Sequence, residues 1–156
     1  MIPAEPLLHK PKGCTNLKLR QLMRSTGQFY DAELRKVDLK VTQFSLLSHV
    51  LKLGPLRPTD LASASKLDVS TLTRNLKLLV DAGWITLSPG VDARSRLVTI
   101  TEAGKEKCHE AQRKWRAAQD QVTALLGHDN VLALHALIDK AMARLATGAP
   151  ASGGDD

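Results

Sequence analysis

Apolar residues recur every three or four positions through most of this chain, which is the spacing of an amphipathic α-helix. The spacing is present in six segments, at residues 16–38, 42–53, 58–66, 69–82, 102–126 and 129–146. Between the fourth and fifth segments, WITLS and LVTIT alternate apolar and polar residues, which predicts two short strands with a polar connection. The predicted order is therefore four helices, a β-hairpin and two more helices.

The ends of the predicted helices carry residues that begin or end helices. Thr42, Asp68 and Thr101 are expected N-caps, Pro58 an expected first helical residue, and Gly54, Gly83 and Gly127 expected stops. A tight turn at residues 67–68 joins the two short helices, which is the outline of a helix-turn-helix. With the hairpin directly after it, the sequence predicts a winged helix-turn-helix.

The predicted fold class is mainly α with a small β-hairpin, a winged helix-turn-helix at residues 41–101. Residues 14–40 and 102–147 add long helices whose apolar seams exceed what the winged helix needs for its own core. Burying such seams contributes roughly 25 cal/mol per Å², so we expect these to be dimerisation helices, with an intramolecular bundle as the alternative. Residues 1–13, with three prolines, predict an extended arm, and residues 148–156 a disordered tail.

Composition and charge narrow the class of protein. The 156 residues are 43% hydrophobic and 24% charged, which is typical of a soluble domain, and the net charge of +6 suits a polyanionic partner such as nucleic acid. No apolar run reaches the length of a membrane span, and the N-terminus lacks a signal peptide, so we expect a cytoplasmic protein with no membrane partner. No phosphate loop, nucleophile motif or carboxylate pair is present, which predicts a protein without enzyme activity or cofactor.

The fourth predicted helix has one face suited to reading DNA. At 100° per residue, an apolar side comprising Val69, Leu72, Leu76, Leu79 and Val80 should face the core. The polar side carries the predicted DNA-binding residues Ser70, Thr71, Thr73, Arg74 and Lys77. Arg74 can bond a guanine edge and Lys77 a phosphate, if this helix enters the major groove. A solvated helix face is the alternative interpretation.

The hairpin tip, VDARSR, adds a second candidate contact with DNA. Arg94 can enter a narrow minor groove, Asp92 can orient it through a charge-assisted hydrogen bond, and Arg96 can meet backbone phosphate. We therefore expect residues 88–96 to form a DNA-reading wing. A solvated turn with a weak surface ion pair is the alternative.

Together these motifs resemble the MarR family of bacterial transcriptional regulators over roughly residues 15–146. The wing D-x-R and the following T-x-x-G correspond to Asp92, Arg94, Thr101 and Gly104, and the recognition-helix pattern to Arg74, Leu79 and Gly83. The resemblance implies a homodimer that binds a pseudo-palindromic operator on double-stranded DNA, usually as a repressor released by a small ligand or by oxidation. One departure is Arg57 before Pro58, where the third helix of the family often opens with a capping Thr.

The resemblance also implies an effector pocket where the dimerisation helices meet the winged helix. Candidate lining residues combine apolar surface with a polar tip: Arg24, Tyr30, Phe44, His49 and Trp115. Such a lining suits a small aromatic or phenolic acid, with charge-assisted bonding at one end and apolar packing at the other. Each of these residues has an alternative role in the core or on a helix.

Two other switches are alternatives. Cys14 stands where some relatives carry a peroxide-sensing cysteine, and Lys12 and Lys18 could favour its thiolate, but Lys18 and Gln28 occupy the expected aromatic positions. A metal-responsive regulator would need a ligand set among Cys108, His109, His128 and His135, of which no two share an i, i+4 spacing. We therefore predict no metal site. A winged helix used only for protein contacts is the remaining alternative.

Overall fold

The computed structural model describes residues 12–92 and 95–148 of the chain. These residues form six helices and two strands in the predicted order. They are α1 (Thr15–Arg35), α2 (Val41–Leu53), α3 (Pro58–Ser65), α4 (Val69–Asp81), β1 (Ile85–Pro89), β2 (Arg96–Ile100), α5 (Glu102–Leu126) and α6 (His128–Gly148). The arm predicted at residues 1–13 and the tail predicted at 148–156 lie almost wholly outside the described residues.

Most of the predicted caps are present, and one is wrong. Thr101 caps α5 by accepting a hydrogen bond from the Gly104 N–H at 3.0 Å. The expected cap at Thr42 does not form, because α2 begins earlier, at Val41. The Gln43 side chain reaches back and accepts a hydrogen bond from the Lys40 N–H at 2.9 Å. A side chain within α2 therefore pairs the backbone N–H of the residue that precedes the helix.

The core joins the helix-turn-helix to the hairpin. Leu46 and Leu47 of α2 are fully buried, as are Leu61 of α3 and Leu79 of α4. The two strands pair antiparallel, and Leu56 adds an isolated bridge to Val98 through N–H···O bonds of 3.2 and 2.8 Å. The chain before α3 is therefore fixed to the sheet, a contact that the sequence pattern did not predict.

A buried carboxylate links α1 to α5. Glu33 Oε1 accepts from Lys36 Nζ at 2.5 Å and from Gln121 Nε2 of α5 at 3.0 Å. The bonds from Lys36 and then Gln121 hold the pKa of this carboxyl below its ordinary value of 4.5, despite the opposing effect of burial. The buried carboxylate therefore has hydrogen-bond partners at the end of α1 and on α5.

The outer helices leave much apolar surface in contact with solvent. Val131 is the one buried residue of α6, a helix of 21 residues. Ten large apolar side chains on α1, α5 and α6 are exposed: Leu17, Leu19, Met23, Leu125, Leu126, Leu132, Leu137, Ile138, Met142 and Leu145. Within the part of the chain that the structure describes, no helix is long and apolar enough to cross a membrane.

Candidate nucleic-acid interface and ligand groove

Helix α4 presents a polar face with its buried side against the core. Leu72, Leu76 and Leu79 are buried, while Ser70, Thr73, Arg74 and Lys77 are exposed and Thr71 is half-buried. Val69 was expected on the core side and is instead 72% exposed. The prediction used only the angle of Val69 around the helix axis. Because the Cα–Cβ bond tilts toward the helix N-terminus, the side chain of the first residue points past the end of the helix.

The start of α4 is held by Asp68. Its Oδ1 accepts from the Ser70 hydroxyl at 2.6 Å and the Thr71 N–H at 2.8 Å, and its Oδ2 accepts from the Thr71 hydroxyl at 2.7 Å. These bonds, led by that from Ser70, hold the pKa of Asp68 well below its usual range. The charged cap therefore fixes both the helix start and the orientation of two hydroxyls on the polar face.

The two basic residues of α4 differ in their partners. Lys77 Nζ lies 2.8 Å from Asp81 Oδ2, and this hydrogen bond raises the pKa of Lys77. Arg74 is exposed and forms no ion pair with any residue in the described ranges. A phosphate must therefore compete with Asp81 for Lys77, whereas Arg74 is available without breaking an ion pair.

The hairpin brings Arg96 close to α4. Arg96 is exposed at the first position of β2, opposite Pro89, and it lines a shallow groove together with Thr73 and Lys77. Arg94 lies outside the described residues, and so does its predicted hydrogen bond with Asp92. Arg96, Thr73 and Lys77 thus form one continuous surface.

Asp92 is exposed near the tip of the hairpin, where Ser95 closes the turn. The Ser95 N–H and hydroxyl both donate to the Asp92 carbonyl, at 2.9 and 3.0 Å. The Gly90 N–H donates to the Ser95 carbonyl at 2.6 Å. The sequence pattern did not predict this role of Ser95, although serine hydroxyls commonly bond the backbone in turns.

The T-x-x-G motif joins the end of α4 to the start of α5. The Thr101 hydroxyl donates to the Gly83 carbonyl at 2.7 Å while accepting the Gly104 N–H, and the Thr101 N–H donates to the Trp84 carbonyl at 3.0 Å. Gly104 packs directly against that Trp84 carbonyl, where a Cβ would clash. The motif therefore fixes the long helix α5 to the turn that follows α4.

A groove of about 410 Å³ lies between α2 and α5, lined by Phe44, Ser48, His49, Lys52, Cys108 and Trp115 among others. Three of the five predicted effector residues, Phe44, His49 and Trp115, meet there. The Tyr30 ring stands 4.3 Å from that of Trp115, centroid to centroid, but Tyr30 lines a second groove between α1, α5 and α6. Lys52 was not among the predicted residues, although it follows His49 at the i, i+3 spacing of one helix face.

Comparison with known proteins identifies the family. Residues 37–95 match the MarR family model. The chain is 33% identical over 111 residues to the multiple antibiotic resistance protein MarR of Salmonella typhimurium, an alignment covering 69% of this chain and 76% of that protein. The chain belongs to the MarR family. The resemblance drawn from the wing and the recognition helix is confirmed, and the family's members are transcriptional regulators and not enzymes.

Solved structures support the same fold for this MarR-family chain. MarR from Escherichia coli without ligand has a TM-score of 0.73 at 23% identity, covering 84% of this chain and 98% of that one. The Mycobacterium tuberculosis regulator MosR, solved in complex with DNA, has a TM-score of 0.66 at 31% identity over 84% and 98% of the two chains. The predicted winged helix-turn-helix is confirmed.

The remaining predicted sites of this MarR-family protein lie apart from one another. Arg24 is exposed on α1 and lines neither groove. Cys14 is exposed at the N-cap of α1, and Cys108 is buried on α5, so the two thiols are free cysteines in different surroundings. Within residues 12–92 and 95–148, no three His, Cys, Asp or Glu side chains are placed to hold a metal ion.

Proposed function

We propose that this protein is a homodimeric, cytoplasmic repressor that reads a pseudo-palindromic DNA operator. Helix α4 enters the major groove and the wing at residues 88–96 follows the minor groove. The main support is the surface formed by α4 and β2, where the exposed residues Lys77 and Arg96 line one groove and Arg74 is exposed on the same helix. MosR, a relative at 31% identity, has been solved with DNA bound, which supports the same partner here.

The contacts divide into base reading and positioning. Arg74 is exposed and has no ion-pair partner among the described residues, so its guanidinium can bond a guanine edge. Ser70 and Thr71 lie on the first turn, where a recognition helix approaches the bases. Lys77 and Arg96, which line one groove, are the proposed phosphate contacts. Arg94 and its orienting partner Asp92 stay predictions for the minor groove.

The dimer is supported by the apolar surface on the outer helices. The ten exposed apolar side chains of α1, α5 and α6 would be unfavourable in water, and five of them, Leu19, Met23, Leu126, Ile138 and Met142, line one apolar groove of the kind that marks an interaction site. Between these helices runs a groove of about 440 Å³, lined by Met23, Leu126, Ile138 and Met142 among others. A second copy of the chain, related by two-fold symmetry, would cover it and place two α4 helices on one duplex.

An aromatic acid in the groove between α2 and α5 is the proposed effector. Phe44 and Trp115, with ring centroids 5.3 Å apart, supply an apolar wall, and Lys52 supplies a cation. The His49 Nδ1 lies 2.7 Å from the Ser45 carbonyl and must donate to it, which leaves Nε2 to bond a ligand. Because α5 continues into the Thr101–Gly104 joint, a ligand that shifts α5 would move the turn after α4.

DNA binding is tested with an operator selected from random duplexes. We expect Arg74→Ala to weaken binding by about 1–3 kcal/mol per half-site and to relax the base preference, and Lys77→Ala to reduce the salt dependence by about one counterion per half-site. Arg113→Ala is the matched control, because it removes the same charge from an exposed position on α5. If all three variants weaken binding equally, α4 does not read the operator. If the wild type binds no selected duplex, the proposal fails.

Effector binding is tested separately with benzoate as the probe. We expect benzoate to quench the fluorescence of Trp115 and to release the operator, and Lys52→Met to weaken both effects, because the carboxylate loses its cation. Trp115→Phe identifies the signal, since the chain has one other tryptophan, Trp84. Quenching that persists in Trp115→Phe, or operator binding that ignores benzoate, would exclude this groove as the site for aromatic acids.

A further inference from the structure

The winged-helix part of the molecule leaves few large apolar side chains in water. Outside α1, α5 and α6, the described residues expose four of them: Leu53, Val69, Leu78 and Val91. Val69 is the first residue of α4 and is 72% exposed. We propose that Val69 determines operator specificity by contacting the methyl group of a thymine in the major groove. This inference rests on the proposed reading of DNA by α4.

The position of Val69 brings its side chain toward the bases. In helix-turn-helix proteins the N-terminal residues of the recognition helix contact base edges, and the tilt of the Cα–Cβ bond directs the first side chain past the helix end. Asp68 caps α4 directly before Val69, so the backbone that carries the isopropyl group is fixed. An apolar group held there gains free energy by covering another apolar group, and the thymine methyl is the one the major groove offers.

The hydroxyls around Val69 strengthen this preference because their protons are already engaged. Ser70 and Thr71 donate to the Asp68 carboxylate at 2.6 and 2.7 Å, and Thr73 donates to the Val69 carbonyl at 2.8 Å. The side chains of the first turn therefore present methyl groups and oxygen lone pairs. In the major groove, an A·T pair offers the thymine methyl to the protein methyl groups and the adenine amino group to the oxygen lone pairs. The two acceptors of guanine find no donor among these hydroxyls.

The experiment compares thymine with deoxyuridine, which lacks only the methyl group. Duplexes of about 25 base pairs with random centres provide an operator long enough for two half-sites. Each thymine of the selected operator is then replaced by deoxyuridine, and Kd is measured for wild type, Val69→Ala and Leu78→Ala. Leu78 is the matched control, because it is exposed on the same helix but lies nine residues further along, about 13 Å from the first turn that approaches the bases.

We expect one thymine in each half-site to be sensitive. Its replacement should weaken the wild type about four-fold, as the loss of one buried methyl predicts, and should leave Val69→Ala unchanged. Leu78→Ala should keep the wild-type sensitivity, and Val69→Thr, which retains the shape with one methyl fewer, should show a smaller effect. Melting curves of the four proteins verify that they are folded.

Two outcomes separate this inference from the function on which it rests. If wild type and Val69→Ala lose equal affinity at every deoxyuridine, or no thymine is sensitive, Val69 does not read a methyl group although the protein binds DNA. If the wild type selects no duplex, DNA binding itself is refuted. Sensitivity that is lost in Leu78→Ala instead of Val69→Ala would assign the contact to the C-terminal half of α4 and overturn the proposal.

Discussion

Replacing Gly104 with Ala should disrupt the joint between the recognition helix and the long helix α5. Gly104 lies in the first turn of α5, and a Cβ at this position would clash with the backbone carbonyl of Trp84. That carbonyl cannot turn aside easily, because it already accepts the Thr101 N–H at 3.0 Å. The strain must therefore move the turn after α4 or the start of α5.

The expected loss of stability follows from two opposing effects. Overpacking typically costs about 1–3 kcal/mol, and a fixed backbone atom as the neighbour places Gly104→Ala at the upper end. Alanine regains about 1 kcal/mol of helix propensity over glycine. We expect a net loss of about 2 kcal/mol, which for a chain of this length lowers Tm by about 4–8 °C.

Thermal and urea unfolding at one fixed protomer concentration measure this change. Gly27→Ala is the matched control, since Gly27 lies in helix α1 and a Cβ there meets no atom within 4 Å. That variant should be unchanged or more stable by about 0.5–1 kcal/mol. If Gly104→Ala is as stable as wild type, the close approach to Trp84 does not constrain the joint. Operator affinity should fall in Gly104→Ala, together with its stability, and should be unchanged in Gly27→Ala.

Three further changes test other parts of the structure. Asp81→Asn should tighten DNA binding at low salt, because it frees Lys77 from the ion pair that raises its pKa. A Kd equal to that of wild type would show that Asp81 does not compete with DNA for Lys77. The pKa of Glu33 is lower in the folded protein than its ordinary value of 4.5, so the charged carboxylate stabilises the fold above pH 4.5. This contribution to the free energy of unfolding is lost as the pH falls through the folded-state pKa. Glu33→Gln should therefore make Tm less dependent on pH in that range. Burial raises the pKa of the Cys108 thiol, so a thiol reagent should label one cysteine quickly, and Cys14→Ser should abolish that fast phase.

Much of the fold could be predicted because local patterns agreed with the tertiary packing. The helix period, the stops at Gly54 and Gly127, and the alternation of the two strands each depend on a few neighbouring residues. The failures had two causes: a competing polar neighbour at a helix start, and a contact with a strand distant in sequence. Gln43 displaced Thr42 in fixing the start of α2, and the bridge from Leu56 to the sheet involves a strand more than forty residues away in sequence.

The order of residues along the chain was enough to predict the family, the polar face of α4 and the hairpin that follows it. These features depend on residue type at fixed spacing, which a chain carries before it folds. Which side chains are available for binding depends instead on the packing of the folded chain. Lys77 is paired with Asp81, Val69 is exposed, and Lys52 and Trp115 line one groove, because exposure and pairing depend on what the packed elements place next to each residue.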